Sequence, residues 1–183
     1  MASPLGHSMM GVAIYMATVR PADWLKRWGW LFLLILFCAA ADFDYLPAAF
    51  GRLDLAEKFH RKFTHTFLFA ASAALIYLIA GGIIRRKILW KSALILVAAM
   101  VIHLGIDIVS LDTKEPRGIA PFEPFSDIRL YSPVILFPNI QKGSYADIVS
   151  IHNTKVAVFE IAFFGAIILV AGGLSFALRR GRK

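Results

Sequence analysis

His103 and Asp107 stand four residues apart in the run Met-Val-Ile-His-Leu-Gly-Ile-Asp. On a helix this spacing puts an imidazole and a carboxylate on one face, a turn apart. Such a pair can present nitrogen and oxygen to one metal ion or to two adjacent ions; the alternative is a structural His–Asp hydrogen bond inside a bundle. A second group reads His60-Arg61-Lys62-Phe63-Thr64-His65-Thr66. His60 and His65 share no helical face, but a turn ahead of a helix would aim both inward. Thr64 would then cap that helix or hold a histidine ring through a hydrogen bond. Arg61 and Lys62 carry the charge to neutralise a phosphate, although anchoring at a membrane interface is the commoner fate of such residues. Asp42-Phe43-Asp44 precedes Tyr45-Leu46-Pro47. Residues two apart face different ways on a helix, so both acids reach one site only if the helix ends here. Pro47 supports that ending, and an ordinary solvated helix end is the alternative. His7 and His152 are isolated; His7 costs little if solvated and is as much a solvated residue as a ligand, whereas His152 reads more readily as a loop residue and Glu160 as a snorkelling acid.

The elements that must carry these residues follow from composition. Of 183 residues 58% are apolar and 17% charged, and the mean hydropathy is +0.67. Soluble domains lie near half apolar and a quarter charged, so the balance is shifted toward lipid. This excludes a disordered tail, a disulfide scaffold (Cys38 is the single cysteine) and a nucleic-acid module with a long basic stripe. A spanning helix takes about 20 apolar residues. Residues 156–178, 63–84 and 88–109 qualify, residues 24–41 are slightly short, and residues 5–19 are the weakest candidate. Trp24, Trp28 and Trp30 are expected at an interface. No Lys or Arg precedes the first apolar stretch, so a signal peptide is not expected.

The expected architecture is all-α, a polytopic membrane bundle of four to five segments forming one integral domain over residues 1–183. With the N-terminus outside, the cytoplasmic pieces 20–27, 85–91 and 179–183 hold eleven of the twenty basic residues and one acid. The outer pieces 42–62 and 110–155 hold nine basic and nine acidic residues. The excess of Lys and Arg marks the cytoplasmic side, so the net charge of +8 is topogenic and calls for no nucleic-acid partner. Residues 110–155 contain five of the eight prolines and read as an irregular extracytoplasmic loop or lid.

In this topology all five histidines, with Asp42, Asp44 and Asp107, fall at or near the outer ends of the segments. Ionisable groups beside apolar helices are costly and mark functional sites. Nitrogen and oxygen ligands suit zinc, manganese or iron, and the number of histidines favours zinc. The set exceeds the needs of one tetrahedral ion and leaves room for two, which would activate water and clamp the oxygens of a displacement at phosphorus. The sequence contains no His-Glu-x-x-His, glycine-rich phosphate loop or serine elbow.

Gly6-His7-Ser8, Asp42-Phe43-Asp44-Tyr45-Leu46-Pro47, His60-Arg61 with Thr64-His65-Thr66, His103-Leu104-Gly105-Ile106-Asp107 and Pro121-Phe122-Glu123-Pro124-Phe125-Ser126 occur in that order. Together they resemble the YdjM-like family of membrane-bound metal-dependent hydrolases, also described as LexA-binding and inner-membrane-associated. The likeness covers roughly residues 5–126. Through that family the chain is distantly similar to zinc-dependent phospholipase C. The resemblance implies His7, Asp44, His60 or His65, His103 and Asp107 as ligands, with Asp107 bridging two ions. His152 and Glu160, eight apart, do not match the His-x-x-x-Glu helix that the soluble enzymes use for another ion.

The expectation is therefore a hydrolase of a bacterial cytoplasmic membrane with its metal site at the outer leaflet. The full candidate ligand set is His7, Asp42, Asp44, His60, His65, His103 and Asp107, with Asp44, Asp107 and Arg61 in the chemistry. Membrane lipid, or a lipid-linked phosphoester, is the expected substrate; the sequence does not specify an oligomeric state. The rival reading is a non-catalytic metal-binding scaffold, a partner-binding protein or an ion carrier. Transport fits poorly with apolar segment centres and a cytoplasmic side without histidines.

Overall fold

The computed structural model describes residues 2–113 and 115–180. Lys114, Arg182 and Lys183, which entered the charge count, lie outside the described residues. The chain forms an all-helical bundle with seven α-helices among the described residues: α1 (Pro4–Thr18), α2 (Trp28–Ala39), α3 (Leu53–Phe59), α4 (Phe67–Arg85), α5 (Trp90–Ile108), α6 (Tyr145–Ile148) and α7 (Ile151–Arg180). Among the described residues, four helical stretches are long and apolar enough to cross a membrane: Trp28–Ala48, Phe67–Arg85, Trp90–Ile108 and Ile151–Arg179.

The fifth expected segment, α1, has 15 residues and is about 22 Å long at the helical rise. It is not one of the four. It starts at Pro4, whose fixed φ suits the first helical position, and Ser3 accepts the Gly6 amide as its cap. Helix α1 runs alongside α7 in the same direction. At one end Glu160 accepts hydrogen bonds from the Ser3 amide (2.7 Å) and the Ser3 hydroxyl. At the other, the Arg179 guanidinium donates to the Ala17 and Thr18 carbonyls that end the helix. Glu160 is thus fully buried, not snorkelling. Lipid is as apolar as leucine, so close packing and polar bonds must hold such helices together. Gly11 serves that need, since a Cβ there would lie 2.8 Å from the Ile35 Cα. Tyr15, Leu34, Cys38, Leu96 and Ala99 fill the core beside it.

Several segment limits differ from expectation. Residues 63–84 do not form one helix: Phe63–His65 is a 3-10 turn, and α4 begins at Phe67. Thr66, not Thr64, is the cap, its Oγ1 accepting the Phe69 amide at 3.0 Å. After Ala39, α2 tightens into a 3-10 helix over Ala40–Phe50 that carries Pro47 and ends at Gly51 with φ +80°. Trp24, expected at an interface, is half-buried and ties the end of α1 to the turn before α2. It donates to the Val19 carbonyl at 3.2 Å, and its own carbonyl accepts from Tyr15.

Helices α1, α4 and α7 start, and α2 and α5 end, at the same end of the bundle. Residues 110–155 lie there as well, and they satisfy the backbone groups that helix termini leave open. Ser132 and Leu136 donate to the Ile108 and Val109 carbonyls at 2.8 Å each, and the Pro121 carbonyl accepts the Phe67 amide at 2.9 Å. Bridges pair Ser110 with Phe137 and Ile119 with Leu130. Gly118 is required next to the second: its φ is +80°, and a Cβ would come within 2.4 Å of the Leu130 oxygen.

Candidate metal centre

Four elements deliver side chains to one buried point. His7 comes from the second turn of α1, Asp42 from the 3-10 helix after α2, His65 from the turn before α4, and His103 with Asp107 from α5. His7 and His65 are 0% exposed, His103 1% and Asp107 4%. Asp107 lies at the middle. Its Oδ1 is 3.4 Å from His7 Nε2, and its Oδ2 is 3.4 Å from His65 Nε2 and 3.2 Å from His103 Nε2. Asp42 Oδ2 is 3.9 Å from His7 Nε2. The His7 and His103 rings stack with centroids 3.7 Å apart.

Outside this centre the His103 and His65 rings are each held by an acceptor. A carbonyl only accepts, so the 2.7 Å contact from His103 Nδ1 to the Cys38 oxygen makes Nδ1 the protonated nitrogen and leaves Nε2 as the lone-pair face. His65 Nδ1 faces Asp44 Oδ2 at 3.3 Å and the Thr64 hydroxyl at 3.2 Å. Asp44 also accepts the Thr64 hydroxyl at 2.9 Å, the Arg61 amide at 3.0 Å and His60 Nδ1 at 2.9 Å. Carboxylate or carbonyl behind imidazole is the arrangement that fixes metal-binding histidines. Burial opposes a charge on His65, but Asp107 and Asp44 outweigh it and lift its pKa to about 9.

The seven atoms His7 Nδ1 and Nε2, Asp42 Oδ2, His65 Nε2, His103 Nε2, and Asp107 Oδ1 and Oδ2 are buried and have no hydrogen-bond partner among the described residues. Leaving a buried polar atom unmatched costs on the order of 1–3 kcal/mol, more for a charged group. Six of the seven point into the shared space, so the donor set fits a divalent cation with imidazole and carboxylate ligands. His7, His103 and Asp107 each offer an atom within 4.8 Å of the others.

Asp42, His60 and His65 form a second trio within the same limit. His60, however, has both nitrogens engaged, Nδ1 by Asp44 and Nε2 by the Lys142 ammonium at 2.8 Å. Burial, with Lys142 and His65 nearby, lowers the His60 pKa against the pull of Asp44, so the ring is neutral and accepts from the ammonium. His60 and Asp44, both expected as ligands, stand behind His65 as its support. Arg61 contributes its amide to Asp44, while its guanidinium pairs with Asp112. His152 stands apart and donates to the Asn139 carbonyl at 2.8 Å. Glu160 serves the start of α1.

Lys142 was not legible in the sequence, where it is one lysine in a 46-residue loop. Tyr45 positions it: the hydroxyl donates to the Lys142 carbonyl at 2.8 Å, and the ammonium lies 4.3 Å from the ring centroid. Asn153 pins the neighbouring Gln141 backbone with bonds of 2.8 and 2.7 Å. Burial lowers the Lys142 pKa, while Asp42, Asp107 and Asp44 counteract it. A cleft of about 860 Å³ opens on one side of this lysine, lined by His60, Arg61 and the loop. A smaller cavity of about 320 Å³ opens on the other side, beside Asp42.

The model of the YdjM inner membrane protein family matches residues 1–178. No curated protein and no solved structure matches the chain.

Proposed function

The chain belongs to the YdjM inner membrane protein family, a multi-pass membrane protein by its four apolar helices, and on that footing we propose that it is a metal-dependent hydrolase cleaving a phosphoester of a lipid or lipid-linked substrate. The observation that carries the reading is the group of buried, unmatched nitrogens and oxygens around Asp107. Their lack of partners supports a ligand set over a core hydrogen-bond network. His7, His65, His103, Asp107 and Asp42 would hold the ion, zinc by its histidine content, with manganese or iron as the other candidates. A bound divalent ion supplies an activated water and neutralises charge at phosphorus. In net terms the water oxygen bonds to phosphorus, the ester P–O bond breaks, and the leaving oxygen takes a proton.

The protein's own part is to hold this site rigid and dry. Asp44 and the Cys38 carbonyl fix the tautomers of His65 and His103. Lys142, with Arg61 behind it, supplies positive charge toward the phosphoryl oxygens as negative charge grows on them. The basic stretches 20–27 and 85–91 belong to the opposite end of the bundle, and the positive-inside rule applied to them supports an extracytoplasmic site.

Elemental analysis of detergent-purified protein, with turnover of a phosphoester panel, tests the reading. Bound zinc and metal-dependent hydrolysis, both lost in Asp107→Asn, are expected. Bound metal without turnover would identify a scaffold, and protein that binds no metal would remove the centre altogether.

A further inference from the structure

Tyr45, Ile140, Gln141 and Lys142 line both cavities, so Lys142 stands between the two. The cavities differ in chemistry. The larger one is edged by five cationic side chains, Lys58, Arg61, Lys62, Arg129 and Lys142, against three acids, of which Asp112 is already paired with Arg61. The smaller is lined chiefly by Ala2, Pro4, Leu5, Ile140 and Ala157, at the start of α1 and the first turns of α7. Leu5 is 40% exposed there. Asp42 of the metal centre borders this apolar cavity, and His60 borders the cationic cleft. An amphiphile whose phosphorus lies between a hydrocarbon part and a polar part matches this sequence of surfaces.

We propose that the site takes an anionic phospholipid, with its hydrocarbon part in the cavity beside Leu5, its phosphodiester under Lys142, and its headgroup in the cationic cleft. This rests on the phosphoester reading above and adds which end of the lipid goes where. A volume of about 860 Å³ is far more than a bare phosphate fills and lies in the range of sites that enclose a whole polar ligand. The excess of cations, five against three acids, disfavours a headgroup that carries its own positive charge, such as choline, because like charges at an interface repel. Lys142 is the discriminating residue. Held by Tyr45 and the Asn153-pinned backbone, its ammonium has little rotamer freedom to lose on binding. It also has an acceptor, His60 Nε2, that a phosphodiester oxygen replaces.

The test is titration calorimetry at 4 °C on the metal-loaded protein in detergent. The probes are dihexanoyl phosphatidylglycerol, dihexanoyl phosphatidylcholine, and glycerophosphoglycerol, which is the first probe's phosphodiester without its tails. Phosphatidylglycerol should bind about tenfold tighter than either of the others. Lys142→Met should erase the preference over phosphatidylcholine and Lys142→Arg should retain part of it, with bound metal unchanged in both because His60 is not a ligand. Equal binding of the two lipids, binding of glycerophosphoglycerol as tight as the lipid, or a preference that survives Lys142→Met overturns the proposal. Selective binding without hydrolysis would sink the hydrolase reading and leave this one standing. Hydrolysis without selectivity would do the reverse.

Discussion

His103 donates from Nδ1 to the backbone oxygen of Cys38 at 2.7 Å, and this single bond turns its Nε2 toward Asp107. The partner is a carbonyl on α2, so the orientation of a ligand on α5 depends on the packing of two helices. The Cys38 thiol is not the orienting group. Cys38→Ala keeps the carbonyl and should leave metal content unchanged by elemental analysis, at a cost of about 1 kcal/mol from the small cavity it opens. His103→Ala should lose the metal.

Asp44 acts through His65 and His60. Asp44→Asn keeps the shape but weakens the acceptor behind the His65 ring. Metal affinity should fall about 10- to 100-fold, the usual consequence of losing such a partner. A competition titration against a chelator measures it; unchanged affinity would make Asp44 an ordinary helix-end acid.

The centre should also be proton-linked. Ion-free His65 keeps its proton up to about pH 9, and a ligand must be deprotonated, so binding displaces that proton. Apparent metal affinity should therefore rise with pH from 6 to 9, by up to about tenfold per unit. The ion-free protein should behave oppositely. The folded-state pKa lies above the ordinary value of 6.5, so the stabilisation is fully present below pH 6.5 and is lost as pH rises through about 9. Melting temperatures with and without chelator across this range should show the two slopes with opposite signs.

Glu160 holds the start of α1 through Ser3, and α1 carries His7. Glu160→Ala removes the acceptor of the half-buried Ser3 amide and hydroxyl, which should cost about 1–3 kcal/mol in thermal unfolding. Metal occupancy should drop with it because His7 loses its registration. Full occupancy in the variant would show that α1 is held by packing alone.

The His-x-x-x-Asp pair was legible because helical periodicity already puts its members together. Asp42 was legible for a weaker reason: Pro47 marked the end of the regular helix, and a tightening chain re-aims side chains. His65 was expected on a turn ahead of the helix, and it lies on one. What spacing could not decide was which of His60 and His65 faces inward. That depends on Asp44 and Lys142, which come from segments 16 and 82 residues away from His60. Lys142 left no trace in the sequence, since its role comes from Tyr45 and Asn153 and not from its neighbours in the chain.

By itself the sequence determined that this is a helical membrane protein, where its apolar segments lie, and that its imidazoles and carboxylates gather at one end. Those features follow from hydropathy and period, which are local. The tertiary structure decided the rest: that α1 lies along α7, that Asp107 is central, that His60 supports rather than faces the centre, and that a loop lysine stands between two cavities. These depend on contacts between residues far apart in the chain, and the energy of a buried polar atom is set by what the fold brings within about 3 Å of it.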